Sequence, residues 1–167
     1  MGVVETGPAF MILDVDGVNV KRALAVVEPT DASKDLLREA GSLAEGVDAE
    51  LVLVHATTDE EYSARRKAME SLSNASGKYT PGEARAGAAE FARDLGEEVL
   101  ASFDVEYEVT SSVGDKADGV LDAAEAYDCD HVFFAGRQRS PTGKALFGDA
   151  TQRVILEFEG PVTVLTA

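Results

Sequence analysis

Cysteine, tryptophan and histidine are scarce in this chain, which contains one cysteine, no tryptophan and two histidines. A single cysteine, Cys129, excludes a framework of internal disulfides. With only His55 and His131 available, a zinc site would have to be built mainly from carboxylates. The composition therefore indicates neither redox nor zinc chemistry.

Long hydrophobic runs are also missing. No stretch approaches the roughly 20 consecutive apolar residues of a membrane-spanning helix, and the first residues, MGVVETGPAF, lack the positive flank of a secretory signal. We expect a soluble, cytoplasmic protein that does not insert into a membrane.

Basic residues are few relative to acids, with 15 Lys and Arg against 31 Asp and Glu and a net charge of −16. Such a surface repels nucleic-acid phosphate and anionic lipid, so neither is an expected partner. The acids are spread through the predicted helices, which indicates a solvated surface. This pattern also favours adaptation to a high-salt cytosol, where salt screens the repulsion.

Hydrophobic segments of two kinds alternate along a chain whose 167 residues suit one domain. Strands are predicted at Arg22–Glu28, Ala49–Ala56, His131–Ala135 and Val162–Leu165, with a half-exposed edge strand at Val105–Thr110. Helices are predicted from about Leu36 to Ala44, Ala84 to Val99, Lys116 to Ala126 and Thr151 to Phe158. The segment after Ala56, through SLSNASGKYTPGE, has the composition of a surface loop. Alternating strands and helices predict parallel crossovers and an open α/β sheet.

Two predicted loops follow strands whose carboxyl ends should meet at one edge of this sheet, Pro29–Ser33 and Gly136–Gly148. The second loop carries Arg137, Arg139 and Lys144 without an acid. Basic side chains, glycines and the amides of a following helix together predict an anion site. A surface loop with turn glycines and chance basic residues is the alternative.

A P-loop is excluded at this position. The P-loop pattern places four residues between its first glycine and the Gly-Lys pair, and a Ser or Thr must follow the lysine. Here six residues separate Gly136 from Gly143-Lys144, and Ala145 follows. Both the spacing and the magnesium-binding hydroxyl are wrong.

The segments PTDAS, at Pro29–Ser33, and Val113–Leu165 resemble the universal stress protein family. The resemblance covers roughly Arg22–Ala167. It implies a five-stranded parallel sheet of order 3-2-1-4-5 with helices on both faces, the adenine nucleotide alpha hydrolase-like fold. It also implies ATP binding, with magnesium, in some members of the family.

The same resemblance assigns residues to a nucleotide site. Those implied at adenosine are Pro29, Thr30, Asp31 and Ala56, and those implied at the phosphates are Gly136, Arg137, Arg139, Gly148, Asp149, Ala150 and Thr151. The family loop has a second glycine where Arg139 stands, is one residue longer, and ends in Ser or Thr where Asp149 stands. A carboxylate beside the terminal phosphate lowers affinity unless magnesium, Arg137 or Arg139 compensates. An ATP-independent dimeric scaffold is therefore the competing hypothesis.

The dimer is expected to form through the final strand. Val162–Leu165 lies at a sheet edge and carries no charge, whereas the other edge strand contains Glu106 and Glu108. An unguarded edge favours pairing with a second copy, and pairing of this strand is common in the resembled family.

A second resemblance lies at the N-terminus, where FMILDVDGVNV is similar to the first motif of haloacid-dehalogenase-type phosphatases through Asp14 and Asp16. The later residues that such phosphatases need do not occur in the required order. Only Asn19–Lys21 link the motif to the first strand, which is too short for a crossover helix. We therefore interpret residues 1–20 as an N-terminal extension of a domain spanning 21–167, with phosphatase activity as a minor alternative.

No pairing of a nucleophile with a general base can be placed elsewhere in the sequence. His55, His131 and Cys129 fit structural positions in or beside buried strands, and Asp115, Asp118 and Asp122 suit a helix N-terminus. We expect a binding module whose ATP hydrolysis, if any, is slow and magnesium-dependent.

Overall fold

The computed structural model describes residues 20–72, 78–136 and 148–166. In chain order its elements are β1 (Arg22–Val26), α1 (Asp31–Val47), β2 (Glu50–Thr57), α2 (Asp59–Leu72), α3 (Pro81–Val99), a 3-10 turn (Leu100–Ser102), β3 (Tyr107–Val113), α4 (Lys116–Ala126), β4 (His131–Gly136), α5 (Asp149–Glu157) and β5 (Val162–Thr166). Strands and helices alternate for most of this length, which confirms the α/β class.

The strands form one parallel sheet of order β3-β2-β1-β4-β5, as the resemblance implied. β1 occupies the centre and pairs with β2 on one side and β4 on the other. The chain runs outward from β1 through β2 to β3 and then returns to the other side of β1. The strand order therefore reverses between β1 and β4, and in open parallel sheets ligands bind at the carboxyl edge of such a point.

Alternating residues of the central strands supply two hydrophobic cores, one on each face of the sheet. Leu51 and Leu53 of β2 pack into the core shared with α1 and α3, while Val52 and Val54 point into the core shared with α4. Successive side chains of a strand point to opposite faces, so a strand covered on both faces is apolar throughout. This explains the uninterrupted apolar run of β2 and confirms helices on both faces of the sheet.

The loop predicted after β2 is wrong for Asp59–Leu72, which form α2. No residue of α2 is buried, so the apolar periodicity that reveals other helices is missing. The helix instead begins with a capping box, in which the Glu61 amide donates to Thr58 Oγ1 at 3.1 Å and the Thr58 amide donates to Glu61 Oε1 at 2.9 Å. Local capping and helix-favouring residues account for this helix without a buried face.

The bounds predicted for β3 also differ from those of the strand in the structure. The strand spans Tyr107–Val113 rather than Val105–Thr110, and its register continues to Thr57 opposite Val113. Two polar residues, Ser111 and Ser112, interrupt the alternation that the sequence pattern relied on. One consequence is that Glu106 precedes the strand, and only Glu108 remains as a charge on this edge.

The N-terminal residues 1–19, including Asp14 and Asp16, lie outside the described part of the chain. The extension at 1–20 and the domain at 21–167 therefore stay predictions. Among the described helices, none combines the length and the apolar character needed to cross a membrane.

Candidate functional site

The turn after β1 brings Pro29, Thr30 and Asp31 to the carboxyl edge of the sheet, at the point where strand order reverses. Thr30 is the N-cap of α1, and its Oγ1 accepts from the Ser33 amide at 3.1 Å. The buried Ser33 hydroxyl in turn accepts from the Glu28 amide at 2.8 Å. These bonds fix the turn with Pro29, Thr30 and Asp31 exposed to solvent.

A cleft of about 580 Å³ opens beside this turn, between the first turn of α1 and the side of α3. Its walls include Glu28, Asp31, Lys34, Phe91, Asp94 and Glu98. Lys34 Nζ lies 2.8 Å from Glu98 Oε2, and this hydrogen bond raises the pKa of Lys34. The cleft is therefore large enough for a small ligand, and its described lining carries four acids against one lysine.

The Glu28 carboxylate is neutralised from the other face of the sheet. Lys116, the first residue of α4, forms an ion pair with Glu28, and its ammonium lies 5.5 Å from the centre of the Phe134 ring. Among the described residues, neither Asp31 nor Asp94 has a cation within ion-pair distance. These two carboxylates give the cleft its negative character.

Ala56 lies on the face of β2 opposite to this cleft. It is 5% exposed and sits beside Ser112 of β3 in the sheet register. A Cβ added at Gly119 of α4 would lie 2.1 Å from Ser112 Oγ and 3.8 Å from Ala56 Cβ, so α4 packs tightly here. The structure thus does not bring Ala56 into the cleft with Asp31.

The start of α5 faces the same edge of the sheet from beyond β4. Gly148 is the N-cap, Asp149 is exposed and Thr151 is 5% exposed. Because glycine has no side chain, the N-cap residue offers no oxygen to the amides of the first turn. Amides that have no side-chain cap at the start of a helix can bind an anion. Gly136, at the end of β4, is buried.

Arg153 ties α5 to α4. Its Nη1 lies 3.0 Å from Asp115 Oδ1, its Nη2 contacts Asp118, and its Nε lies 2.9 Å from Glu157 Oε2. The hydrogen bonds that Arg153 donates to Glu157 and Asp118 raise the pKa of Arg153. Asp115 and Asp118 therefore do more than favour the helix dipole, since they also hold the helix that carries Asp149 and Thr151.

The basic residues predicted to bind an anion, Arg137, Arg139 and Lys144, lie outside the described residues. Their role stays a prediction, as does that of the whole loop between Gly136 and Gly148.

The histidines and the cysteine occupy the structural positions that the sequence suggested. His131 is 9% exposed, its Nε2 lies 2.8 Å from Thr163 Oγ1, and burial lowers its pKa. Cys129 packs beside the core of α4, and burial raises the pKa of its thiol to about 11. His55 Nδ1 lies 2.8 Å from the Val27 carbonyl oxygen.

A second crevice, of about 430 Å³, lies between the end of β2, α2 and α3. Its lining includes His55, Thr57, Arg65, Tyr79 and Phe91. This crevice was not predicted from the sequence, because the segment that forms α2 has the composition of a surface loop. The capping box Thr58-x-x-Glu61 was the signal that could have revealed the helix.

Solved structures share this fold across most of the chain. The universal stress protein UspA from Lactobacillus plantarum has a TM-score of 0.66 at 18% identity, covering 89% of this chain and 99% of that one. A universal stress protein from Archaeoglobus fulgidus in complex with dAMP scores 0.57 at 17% identity, covering 87% and 96%. A universal stress protein in complex with cAMP scores 0.61 at 16% identity, covering 89% and 98%.

Sequence comparison identifies the family, whereas the solved structures show the fold. No functionally curated protein matches the chain. The profile of the universal stress protein family matches residues 19–166, which include every described strand and helix. This chain therefore belongs to the universal stress protein family.

Proposed function

We propose that this universal stress protein is a dimeric adenine-nucleotide-binding module of the stress response, and that its ligand is ATP with magnesium. The observation that carries the proposal is the position of the exposed Pro29–Asp31 turn at the carboxyl end of β1, where strand order reverses. The helix α5 follows β4, the strand on the other side of that reversal. Two proteins of similar fold are in complex with cAMP and dAMP, which are adenine nucleotides.

The proposed roles follow from exposure and chemistry. The exposed Asp31 carboxylate accepts from a ribose hydroxyl or from the adenine amino group, and Pro29 and Thr30 line the same turn. The amides of Asp149, Ala150 and Thr151 begin α5 and point toward an anion. Arg137 and Arg139 supply the compensating positive charge in this proposal.

The exposed Asp149 at the start of α5 makes magnesium part of the proposal. A phosphate held at that helix start would meet the like charge of this carboxylate. A magnesium ion held with the phosphates would supply positive charge that offsets this repulsion. Binding of ATP should therefore be stronger with magnesium than without it.

A thermal unfolding experiment tests the proposal directly. A ligand that binds only the folded state stabilises it by about 2.7 kcal/mol at a concentration of about 100 times Kd. We expect ATP with magnesium to raise the Tm, ATP with a chelator to raise it less, and both Asp31→Ala and Arg137→Ala to remove the effect.

Glu39→Ala is the matched control, because Glu39 is an exposed acid of the same helix that does not line the cleft. It removes the same charge as Asp31→Ala and should leave the nucleotide effect intact. The proposal fails if saturating ATP with magnesium leaves the unfolding curve unmoved in both low and molar salt.

The second candidate function is an ATP-independent dimeric scaffold. The specific observation in its favour is the excess of carboxylates around the site, with Asp149 exposed at the start of α5 and Asp31 and Asp94 unpaired in the described cleft. A wild-type dimer that shows no nucleotide response in either salt condition would establish the scaffold.

A further inference from the structure

The crevice between the end of β2, α2 and α3 is a slot lined by small and aromatic residues. Its floor is built from three small residues of α3, Ala84, Gly87 and Ala88. Aromatic rings stand at its sides: Tyr79 stacks on Tyr62 with ring centres 5.6 Å apart, and Phe91 meets His55 edge-on at 5.0 Å. Its volume of about 430 Å³ is in the range of small-molecule sites.

One wall of the crevice presents a defined hydrogen-bond acceptor. His55 Nδ1 lies 2.8 Å from the Val27 carbonyl oxygen, and a carbonyl can only accept, so the proton is on Nδ1. In the neutral ring Nε2 then carries the lone pair. Nε2 has no hydrogen-bond partner within the described ranges, and His55 lines the crevice. A ligand O–H or N–H is the partner that this nitrogen suits.

The crevice also contains hydrogen-bond donors, those of the Arg65 guanidinium of α2. This exposed guanidinium lines the crevice and has no ion-pair partner in the described part of the chain. Glu61 lines the crevice as well, but its Oε1 already accepts from the Thr58 amide in the capping box. Arg65 therefore offers unused donors to an anion, and a carboxylate matches their planar arrangement.

We propose that this crevice binds a planar aromatic acid that carries a hydrogen-bond donor at the end of the ring opposite its carboxylate. The ring lies in the slot over Gly87 and Ala88, the carboxylate pairs with Arg65, and the donor meets His55 Nε2. The crevice shares only Pro29 and Phe91 with the acidic cleft beside Asp31. It adjoins the proposed nucleotide site through Pro29, but its described lining contains neither Asp31 nor any residue of α5.

The probe is 4-hydroxybenzoate, titrated into the whole chain by calorimetry and by ligand-observed NMR. We expect saturable binding of one equivalent. Benzoate, which lacks the donor, and 4-hydroxybenzamide, which lacks the charge, should each bind more weakly. Removing the charged hydrogen bond with Arg65→Gln should weaken binding by about tenfold.

Arg66→Gln is the matched control, because Arg66 is the next residue of α2, pairs with Glu70 and does not line the crevice. It should leave binding unchanged. As a second variant, Gly87→Leu fills the slot, and a Cβ added at Gly87 meets no atom within 4 Å, so the fold should tolerate it. We expect this variant to lose binding while keeping its unfolding midpoint.

Three results would each overturn the proposal. The first is the absence of saturable 4-hydroxybenzoate binding by the wild-type chain. The second is an equal loss in Arg65→Gln and Arg66→Gln, which would mean attraction by overall charge rather than a site. The third is complete displacement of the probe by ATP with magnesium, which would mean that both ligands use one site.

Discussion

At the scale of single residues, Asp149 is the position that most affects the proposed ligand. It is exposed at the start of α5, where the resembled family has a hydroxyl residue. A carboxylate there is favourable for the helix dipole but unfavourable beside a phosphate. In the proposed site, Asp149 would therefore stabilise the helix but lower the affinity for phosphate. A metal ion bound by both the carboxylate and the phosphate would remove that cost.

We expect Asp149→Ser to tighten ATP binding a few-fold by removing the like charge, as measured by calorimetry with magnesium. Asp149→Asn is the control, since it removes the charge and keeps the side-chain shape, and it should act in the same direction. Weaker binding in both variants would show instead that the Asp149 carboxylate holds the metal.

Cys129 allows a second prediction at this scale. Burial raises the pKa of its thiol to about 11, so the thiolate fraction at pH 8 is on the order of one in a thousand, and the thiolate is the reactive form. We expect slow alkylation of the folded chain at pH 8 and fast alkylation in denaturant, where the pKa returns to about 8.5. The stabilising contribution of the protonated thiol is fully present below the unfolded pKa and is lost as pH rises through about 11. Fast alkylation of the folded chain would contradict this placement.

At the scale of elements, the packing of α3 on the sheet depends on a glycine. A Cβ added at Gly96 would lie 2.7 Å from Tyr107 Cε2 and 2.9 Å from Leu53 Cδ1. A helix side chain larger than hydrogen at this position would push α3 away from β2 and β3. A Cβ added at Gly87, two to three turns earlier in α3, would meet no atom within 4 Å.

We therefore expect Gly96→Ala to lower the free energy of unfolding by about 1–3 kcal/mol, the usual cost of overpacking a core. Gly87→Ala on the same helix should be neutral or stabilise by roughly 0.5–1 kcal/mol, because alanine is the better helix former. Denaturant titration of both variants measures the difference. Equal midpoints for the two variants would mean that α3 shifts without cost.

The elements also show what a sequence pattern can and cannot reveal. β1, β2, β4 and α4 were predicted within about two residues, because each buries a full face and its apolar spacing follows from that burial. α2 was missed because nothing in it is buried. The turn at Pro29–Asp31 was predicted from the residues that follow the first strand, and the family resemblance assigned it to adenosine. The acidic cleft could not be predicted from the sequence, because Asp94 and Glu98 line it only through the tertiary packing of α3.

At the scale of the whole molecule, β5 is an edge strand of the sheet. Beside it in the chain, α5 exposes an apolar side chain, Leu156, which is 75% exposed. Free amides and carbonyls along an edge favour pairing with another strand. We propose that two copies pair through Val162–Leu165 across a two-fold axis, which closes the assembly at a dimer.

In light scattering at low and molar salt, we expect a wild-type dimer and a monomeric Val164→Lys variant, because the substitution places like charges near the axis. Thr110→Lys adds the same charge to the other edge strand, β3, and should remain dimeric. A wild-type monomer at tens of micromolar in both salt conditions would rule out this interface.

We expect α2 to be the first helix that unfolds locally. It has no buried residue and is held at its start by its own capping box. A helix held by its own cap and by the Tyr62–Tyr79 contacts can unfold locally while both cores stay closed. Its amides should therefore exchange with deuterium well before those of β1 and β2. Since α2 forms one wall of the crevice that also contains His55 and Tyr79, a ligand bound there would slow the exchange of the α2 amides. That protection would be confined to a helix that contributes no residue to either core.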